Sequence, residues 1–203
     1  MLADILSWAT IMAIPGPDIV AIGSQVTRYG FRAGFATALG ATLGVATWSV
    51  LSLAGISALL LAVPALATAL PVIGSAVLVV LGLVALRDAT RRDPGTTGDP
   101  GAVGASPLRS VRLGLTTNLS NPKALVFFTS FFTPLMNHYS GPAHKAGMLG
   151  LLLAVSLITF SAMSVALRTA ANSPLARIPG LRFLPGLAFI IIGGFYMWES
   201  VGR

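Results

Sequence analysis

Cysteine is absent from this chain of 203 residues, and charged residues are scarce. Without cysteine the chain cannot form disulfides or thiolate metal sites, and thiol chemistry is excluded. Only 9% of the residues are charged and 55% are hydrophobic, whereas soluble domains carry roughly 25% charged residues. The sequence also lacks a nucleotide-binding loop and any pairing of a nucleophile with a base, so we predict no enzymatic activity and no cofactor. This composition is that of an integral membrane protein.

Long apolar runs make up most of the sequence. Each is long enough to cross a hydrocarbon layer of about 30 Å as a helix. We therefore predict an all-α integral membrane protein with six transmembrane helices, surrounded by the lipid bilayer. The six segments are residues 2–27, 34–62, 69–87, 113–136, 145–168 and 183–201.

A polar stretch divides these segments into two groups of three. Residues 88–112 contain the run DPGTTGDPG, which is typical of a flexible, solvated linker. We predict a first three-helix unit at 1–87, a cytoplasmic linker at 88–112 and a second three-helix unit at 113–203. Because each unit has an odd number of spans, the second is inserted upside down relative to the first, which predicts two inverted repeats.

The basic residues favour one orientation of this arrangement. Ten of the thirteen lie in connections that share one side of a six-span chain. By the positive-inside rule that side is the cytoplasm, so we predict a multi-pass membrane protein with both termini outside. The net charge of +7 is spread between apolar segments rather than gathered in a patch, which argues against a nucleic-acid partner. The ten residues are Arg28, Arg32, Arg87, Arg91, Arg92, Arg109, Arg112, Arg168, Arg177 and Arg182.

The first segment is interrupted in its middle by the motif IPGPD at residues 14–18. Within a helix, Pro15 and Pro17 cannot donate hydrogen bonds to the carbonyls of Ile11 and Ala13. In lipid those carbonyls need other partners, so such a break is tolerated only against protein or water. A packing kink needs only one proline and no acid, and we therefore interpret the motif as part of a site.

The fourth segment has a matching interruption, NLSNPK at residues 118–123. Here Pro122 leaves the Asn118 carbonyl without its helical donor. Interruptions at corresponding positions of two inverted halves are the best sequence pointer to the binding site of a secondary transporter. We predict that helices 1 and 4 are broken and that their breaks meet near the middle of the bilayer.

Asp18 and Lys123 are the two charged residues near the middle of a span, and their signs are opposite. A charge there costs about 2.5–3.5 kcal/mol on insertion scales, and a nearby opposite charge offsets part of that cost. One interpretation is a pair that opens to accept a zwitterion, with Lys123 on its carboxylate and Asp18 on its amine. The other is a fixed ion pair without a transport role, or a lysine that snorkels to the membrane boundary. Gln25, on the same helix face as Asp18, extends the polar path.

The small and aromatic residues named below are interpreted as contributing to helix packing or to the membrane interface rather than to a ligand site. Gly40 and Gly44 form a small-xxx-small pair, which predicts close approach of another helix rather than ligand contact. Trp8 and Trp198 lie near the predicted outer ends of segments 1 and 6, which predicts that both belong to the interfacial aromatic belt. For Trp48, deeper in segment 2, we predict core packing.

Two groups of motifs resemble the LysE/RhtB family of amino-acid exporters. The first comprises PGPD at residues 15–18, RYGFRAG at 28–34 and ALGATLG at 38–44; the second comprises GLTTNLSNPKA at 114–124, followed by two phenylalanines at 127–128. Order, spacing, chain length and the six segments all fit, so the resemblance covers essentially the whole chain. There are two departures, Ile14 where many members have threonine and the absence of tyrosines from segment 3. Both bear on substrate identity.

The resemblance implies export of small amino acids or close analogues from the bacterial cytoplasm across the bacterial inner membrane, driven by an ion or proton gradient, and we predict proton-coupled antiport. The partner it implies is a small-molecule substrate, and it implies no metal. Gln25 joins the predicted site through its position on the face of Asp18. Carried over residue by residue, the resemblance implies a substrate-binding and coupling site formed by Pro15, Gly16, Pro17, Asp18, Asn118, Asn121, Pro122 and Lys123.

Two alternatives stay open. Ion or metal efflux on the same scaffold is disfavoured because one mid-membrane carboxylate makes a poor divalent site. A non-transporting membrane scaffold, or a lipid-handling accessory subunit, would tolerate Asp18→Asn with little loss. No pattern in the sequence specifies the amino acid carried, the coupled ion or the number of protomers in a homo-oligomer.

Overall fold

The computed structural model describes residues 2–14, 16–90, 106–171, 180 and 183–201, and helices account for nearly all of them. The helices are α1 (Leu2–Ala13), α2 (Pro17–Tyr29), α3 (Phe31–Leu53), α4 (Ile56–Ala62), α5 (Pro64–Thr90), α6 (Pro107–Leu119), α7 (Pro122–Phe127), α8 (Thr133–Asn137), α9 (Pro142–Ala171) and α10 (Leu184–Val201). A π-helical turn, Phe128–Phe132, joins α7 to α8. No strand occurs in these ranges, so the predicted all-α class is confirmed for them.

The first predicted span is broken. α1 and α2 meet at an angle of 58°, and Pro15 between them lies outside the described residues. Gly16 precedes α2 with an extended backbone, and Pro17 occupies the first turn of that helix. A proline is well suited there because the first amides of a helix have no intrahelical partner. The carbonyl end of α1 and the amide end of α2 therefore lie within one apolar segment.

The fourth predicted span is interrupted as well. α6 ends at Leu119, and Asn121 caps α7 because its Oδ1 accepts a hydrogen bond from the Lys123 backbone N–H at 3.0 Å. Pro122 takes the first helical turn of α7. The π-helical turn that follows is an uncommon geometry that is frequent at functional sites.

Three other helices, α3, α9 and most of α5, are long and apolar enough to cross a membrane, and the bent α1–α2 pair makes a fourth candidate. The apolar helix α10 is shorter. The second predicted segment, 34–62, is too long for one helix, because α3 stops at Leu53 and the short α4 follows. Gly55 between them has a left-handed backbone (φ 94°), a conformation that glycine adopts without strain.

Glycines bring α6 directly against α3. A Cβ at Gly40 would overlap the backbone carbonyl of Val111, and a Cβ at Gly114 would overlap that of Thr37. Further along α3, Gly44 meets Asn118. Since residue numbers rise from Gly40 to Gly44 on α3 as they rise from Val111 to Asn118 on α6, the two helices run parallel. The predicted close approach at Gly40 is confirmed, and van der Waals contact of this kind is what holds helices together in lipid.

A second close pair consists of α5 and α10, which run in opposite directions. Gly82 meets Gly186 near one end of the pair, while Gly193 meets Ser75 and Val79 further along. Each helix of this pair thus presents glycine to the backbone of the other.

Trp8 lies in the core rather than at the membrane boundary. Its side chain is fully buried, stands edge-on to Phe127 and Phe128, and donates Nε1–H to Ser156 Oγ at 2.8 Å. The prediction that Trp8 belongs to the aromatic belt is therefore wrong, because its indole N–H has found a buried partner instead of an interfacial one. Trp198 is 80% exposed, and its place in the belt stays a prediction.

Candidate functional site

The two breaks meet at Asp18. The Asn118 side-chain amide donates to one carboxylate oxygen at 3.2 Å, and the Asn121 amide donates to the other at 2.9 Å. Asn118 belongs to the last turn of α6 and Asn121 caps α7. Hydrogen bonds to an ionised acceptor are roughly twice as strong as neutral ones. Asp18 therefore ties α2 to both sides of the second break.

Lys123 binds the carbonyl side of the first break, at the end of α1. Its Nζ donates to the Ile11 carbonyl at 2.9 Å and to the Ile14 carbonyl at 3.1 Å. A proline at position 15 cannot donate to the Ile11 carbonyl. This carbonyl accepts instead from the Ile14 backbone N–H at 3.3 Å and from the Lys123 ammonium group. Asp18 and Lys123 thus form no direct ion pair in the described part of the chain. The paired state that the sequence suggested is absent there, because each charge has polar partners of its own.

Backbone dipoles favour this placement of the two charges. Asp18 lies in the first turn of α2, where the free amides carry partial positive charge. Lys123 lies against the last carbonyls of α1, which carry partial negative charge. Such an interaction is typically worth about 0.3–1 kcal/mol, and up to about 2 kcal/mol where it is partly buried. The broken helix thereby stabilises one charge of each sign at its two inner ends.

Asn118 is held in place by α3. Trp48 Nε1–H donates to the Asn118 backbone carbonyl at 3.4 Å. Pro122 cannot donate to this carbonyl, which also accepts from the Asn121 backbone N–H at 3.1 Å. A Cβ at Gly44 would lie only 2.5 Å from Asn118 Oδ1, so the glycine makes room for this side chain. The Oδ1 atom is buried and has no hydrogen-bond partner among the described residues. Trp48 and Gly44 therefore serve in packing, as predicted, and they pack against Asn118, a polar residue of the second break.

A small cavity lies beside these groups. Asp18, Asn118, Asn121 and Lys123 contribute to its walls, and the rest of its lining is apolar apart from Gly16. Its volume of about 20 Å³ accommodates about one water molecule. A larger ligand therefore requires the walls to move apart.

A polar layer follows towards the end of α2. Ser110 Oγ donates to Gln25 Oε1 at 3.2 Å, which links α6 to α2. One turn further on, Arg28 donates to the Ala85 carbonyl at 2.9 Å and lies 3.8 Å from the Asp88 carboxylate. These contacts join the ends of α2 and α5.

The structure gathers most, but not all, of the predicted site residues. Pro17 and Pro122 are buried and begin α2 and α7. Gln25 lies away from the cavity, and Pro15 is outside the described residues. The predicted residues that line the cavity are Gly16, Asp18, Asn118, Asn121 and Lys123.

Sequence reasoning missed the aromatic part of the wall, formed by Phe127, Phe128 and Phe160. The first two stand beside the second break and carry a local signal. Phe160 carries none, because its place depends on how α9 packs against the rest of the bundle.

Comparison with known proteins points to one family. The threonine efflux protein of Escherichia coli (strain K12) is 28% identical over 150 residues, which cover 74% of this chain and 73% of that protein. The leucine efflux protein of Enterobacter sp. (strain 638) is 29% identical over 155 residues, covering 76% of this chain and 71% of that protein. An uncharacterized membrane protein of Pseudomonas aeruginosa is 35% identical over 161 residues, covering 78% and 73%.

No solved structure matches the chain. The family model of the LysE type translocator matches residues 9–200 and therefore includes both breaks and every cavity-lining residue named above. This chain belongs to the LysE type translocator family.

Proposed function

We propose that this protein exports amino acids from the bacterial cytoplasm by secondary active transport, with Asp18 and Lys123 binding the two ends of the zwitterion. The observation that carries the proposal is the separation of the two charges. Two side-chain amides hold Asp18, and two carbonyls of the first break hold Lys123. A free amino acid has its ammonium and carboxylate groups on one carbon atom, so it fits between opposite charges that are close but unpaired.

The chemistry of each end follows from its surroundings. The substrate carboxylate binds Lys123 Nζ and the free amides at the start of α2, as anionic groups bind half-helix amino termini in transporters with interrupted helices. The substrate ammonium binds the Asp18 carboxylate, where it takes the place of the asparagine amides that donate to it. Proton antiport is the coupling that we propose, with Asp18 as the proton-binding group.

The alternatives have less support. Relatives named for threonine and leucine efflux favour amino acids as the substrate class. Metal efflux has no cluster of three or more metal-ligating side chains in its favour within the described residues. A non-transporting scaffold gives no reason to keep two charges in interrupted spans, where each is costly to insert.

Replacing the site lysine tests the proposal directly. Lys123→Met removes the cation expected to bind the substrate carboxylate, and a hydrogen bond to a charged group is worth about 1.5–3 kcal/mol. We therefore expect efflux of labelled leucine or threonine from proteoliposomes to fall about 10- to 100-fold. Lys145, the second of the chain's two lysines, lies in the first turn of α9, away from the cavity. Lys145→Met is thus the matched control and should transport normally. Equal activity of both variants would contradict the assigned role.

We also propose six passes arranged as two inverted repeats in the inner membrane, with both termini outside. Helix directions support this arrangement. α2 and α6 are antiparallel, since Asp18 meets Asn121 whereas Gln25 meets Ser110, and α5 and α10 are antiparallel too. A two-fold axis in the membrane plane would relate the first predicted span, which contains α2, to the fourth, which contains α6. It would likewise relate the third span, α5, to the sixth, α10. Such an axis requires both pairs to be antiparallel.

Two single cysteines test the orientation, because the natural chain contains none. Ser106 and Ser140 are both exposed, and the Ser106 side chain makes no capping hydrogen bond, so substitution there removes no contact. In spheroplasts an impermeant maleimide should label Ser140→Cys at once and label Ser106→Cys only after permeabilisation. Labelling of Ser106→Cys in sealed spheroplasts would overturn the orientation.

A further inference from the structure

We infer that this site selects neutral amino acids with an apolar side chain over hydroxylated and charged ones. The inference rests on the proposed function and concerns the part of the cavity that faces the substrate side chain. That part of the wall is formed by the helices that contribute no polar side chain to the cavity.

The polar atoms of the cavity are confined to the two breaks. Of the fourteen lining residues, four have polar or charged side chains and nine are apolar. The four come from α2, the end of α6 and the start of α7. By contrast α1, α3 and α9 contribute apolar side chains only, including Met12, Val45 and Phe160. The part of the wall formed by α1, α3 and α9 therefore presents apolar side chains only.

All four polar side chains serve the common part of an amino acid. Asp18 and Lys123 match the ammonium and the carboxylate, and the two asparagine amides already donate to Asp18. Asn121 Oδ1 is occupied by the Lys123 backbone N–H. None of the four lies on α1, α3 or α9, so the wall that these three helices form offers no polar side chain to a hydroxyl or a second charge of the substrate.

The apolar wall is also shielded from water. Phe128, Phe160 and Val45 are each at most 1% exposed, so water does not replace a missing contact there. A hydroxyl placed against them loses its hydrogen bonds to water without compensation. Apolar sites discriminate against an added hydroxyl by about 100-fold, and we expect a preference of about that size for leucine over threonine.

Val45 is the position at which this preference can be changed. Threonine has nearly the volume of valine but carries a hydroxyl, so Val45→Thr adds a polar atom to the apolar wall without a steric change. Val50 is on the same helix, is 58% exposed and does not line the cavity. Val50→Thr is therefore a matched control for the chemistry of the substitution.

The test is counterflow of labelled leucine in proteoliposomes, with unlabelled leucine, isoleucine, threonine, serine and lysine as competitors. We expect leucine and isoleucine to compete best, threonine about 100-fold less well, and lysine not at all. In Val45→Thr the leucine-to-threonine ratio should fall about tenfold, whereas Val50→Thr should match the natural protein. Threonine, serine or lysine competing as well as leucine in the natural protein would overturn the inference while leaving the exporter role intact. Absence of transport for every amino acid would overturn the exporter role, and the inference with it.

Discussion

Replacing Asp18 by asparagine should leave a protein that exchanges amino acids across the membrane but no longer concentrates them. In proteoliposomes with an imposed proton gradient, the steady-state concentration ratio of leucine across the membrane should fall to one. Exchange at equal pH should persist at about one tenth of the parental rate. This is the largest functional effect that we expect from a single isosteric substitution.

The reason lies in the position of the carboxylate. Asp18 is the only acidic residue that lines the cavity, so it is the group through which proton binding and substrate binding can exclude each other. Asparagine has the same size and keeps an oxygen for the substrate ammonium, but it cannot bind or release a proton. Loss of the charge also removes the charge-assisted part of that hydrogen bond, which is about half of its strength.

Asp88 provides the matched control. Its carboxylate is 39% exposed and lies 3.8 Å from Arg28, and an exposed ion pair of this kind contributes about 0–1 kcal/mol. Asp88→Asn should therefore concentrate leucine as well as the parent. If Asp18→Asn also drives uphill efflux at the parental level, the proton is carried elsewhere and Asp18 is a structural residue.

The largest effect on stability should come from Gly114→Ala. The new methyl group would overlap the Thr37 carbonyl and approach the Ala41 backbone nitrogen at 2.8 Å. Both atoms belong to the backbone of α3, so no side-chain rotation can make room and the two helices must separate. Overpacking typically costs about 1–3 kcal/mol, and a clash with backbone lies at or above the upper end of that range.

Gly150→Ala is the comparison for this substitution. Gly150 lies in α9 with no atom within 4 Å of its potential Cβ, and alanine is favoured over glycine in a helix by about 1 kcal/mol. Thermal unfolding in detergent, followed by size-exclusion chromatography, should show a lower midpoint for Gly114→Ala and an equal or higher one for Gly150→Ala. Equal midpoints for Gly114→Ala and the parent would show that the α3–α6 contact is looser than described.

Local chemistry made the breaks predictable. A proline removes a donor from a known carbonyl, so residues 14–18 and Pro122 mark where a helix must end and which acceptors need foreign partners. The Ile11 and Asn118 carbonyls do receive such partners, from Lys123 and Trp48, beside a backbone N–H three residues further along the chain. Hydropathy likewise located the apolar segments, because a run of about twenty apolar residues is what a transmembrane helix requires.

The identity of those partners was not predictable in the same way. One interpretation of the sequence paired the Lys123 ammonium with Asp18, since opposite charges attract, but a carbonyl that has lost its helical donor competes for the same group. Which acceptor wins depends on distances of a few ångströms between α1 and α7. Trp8 was misplaced for a similar reason, because its partner Ser156 is 148 residues away and no local pattern links them.

The bonds that Lys123 and Asp18 make within the protein also influence how tightly any cargo can be held. An arriving amino acid finds no vacant charges, because its carboxylate must displace the end of α1 from Lys123 and its ammonium must compete with two amides for Asp18. Binding is then an exchange of one set of hydrogen bonds for a similar one, and its net free energy is the small difference between them. Weak retention suits a protein that must release its cargo where that cargo is already abundant. The carbonyls at the end of α1 thus compete with the substrate carboxylate for Lys123, and they bind the lysine again each time a substrate molecule leaves.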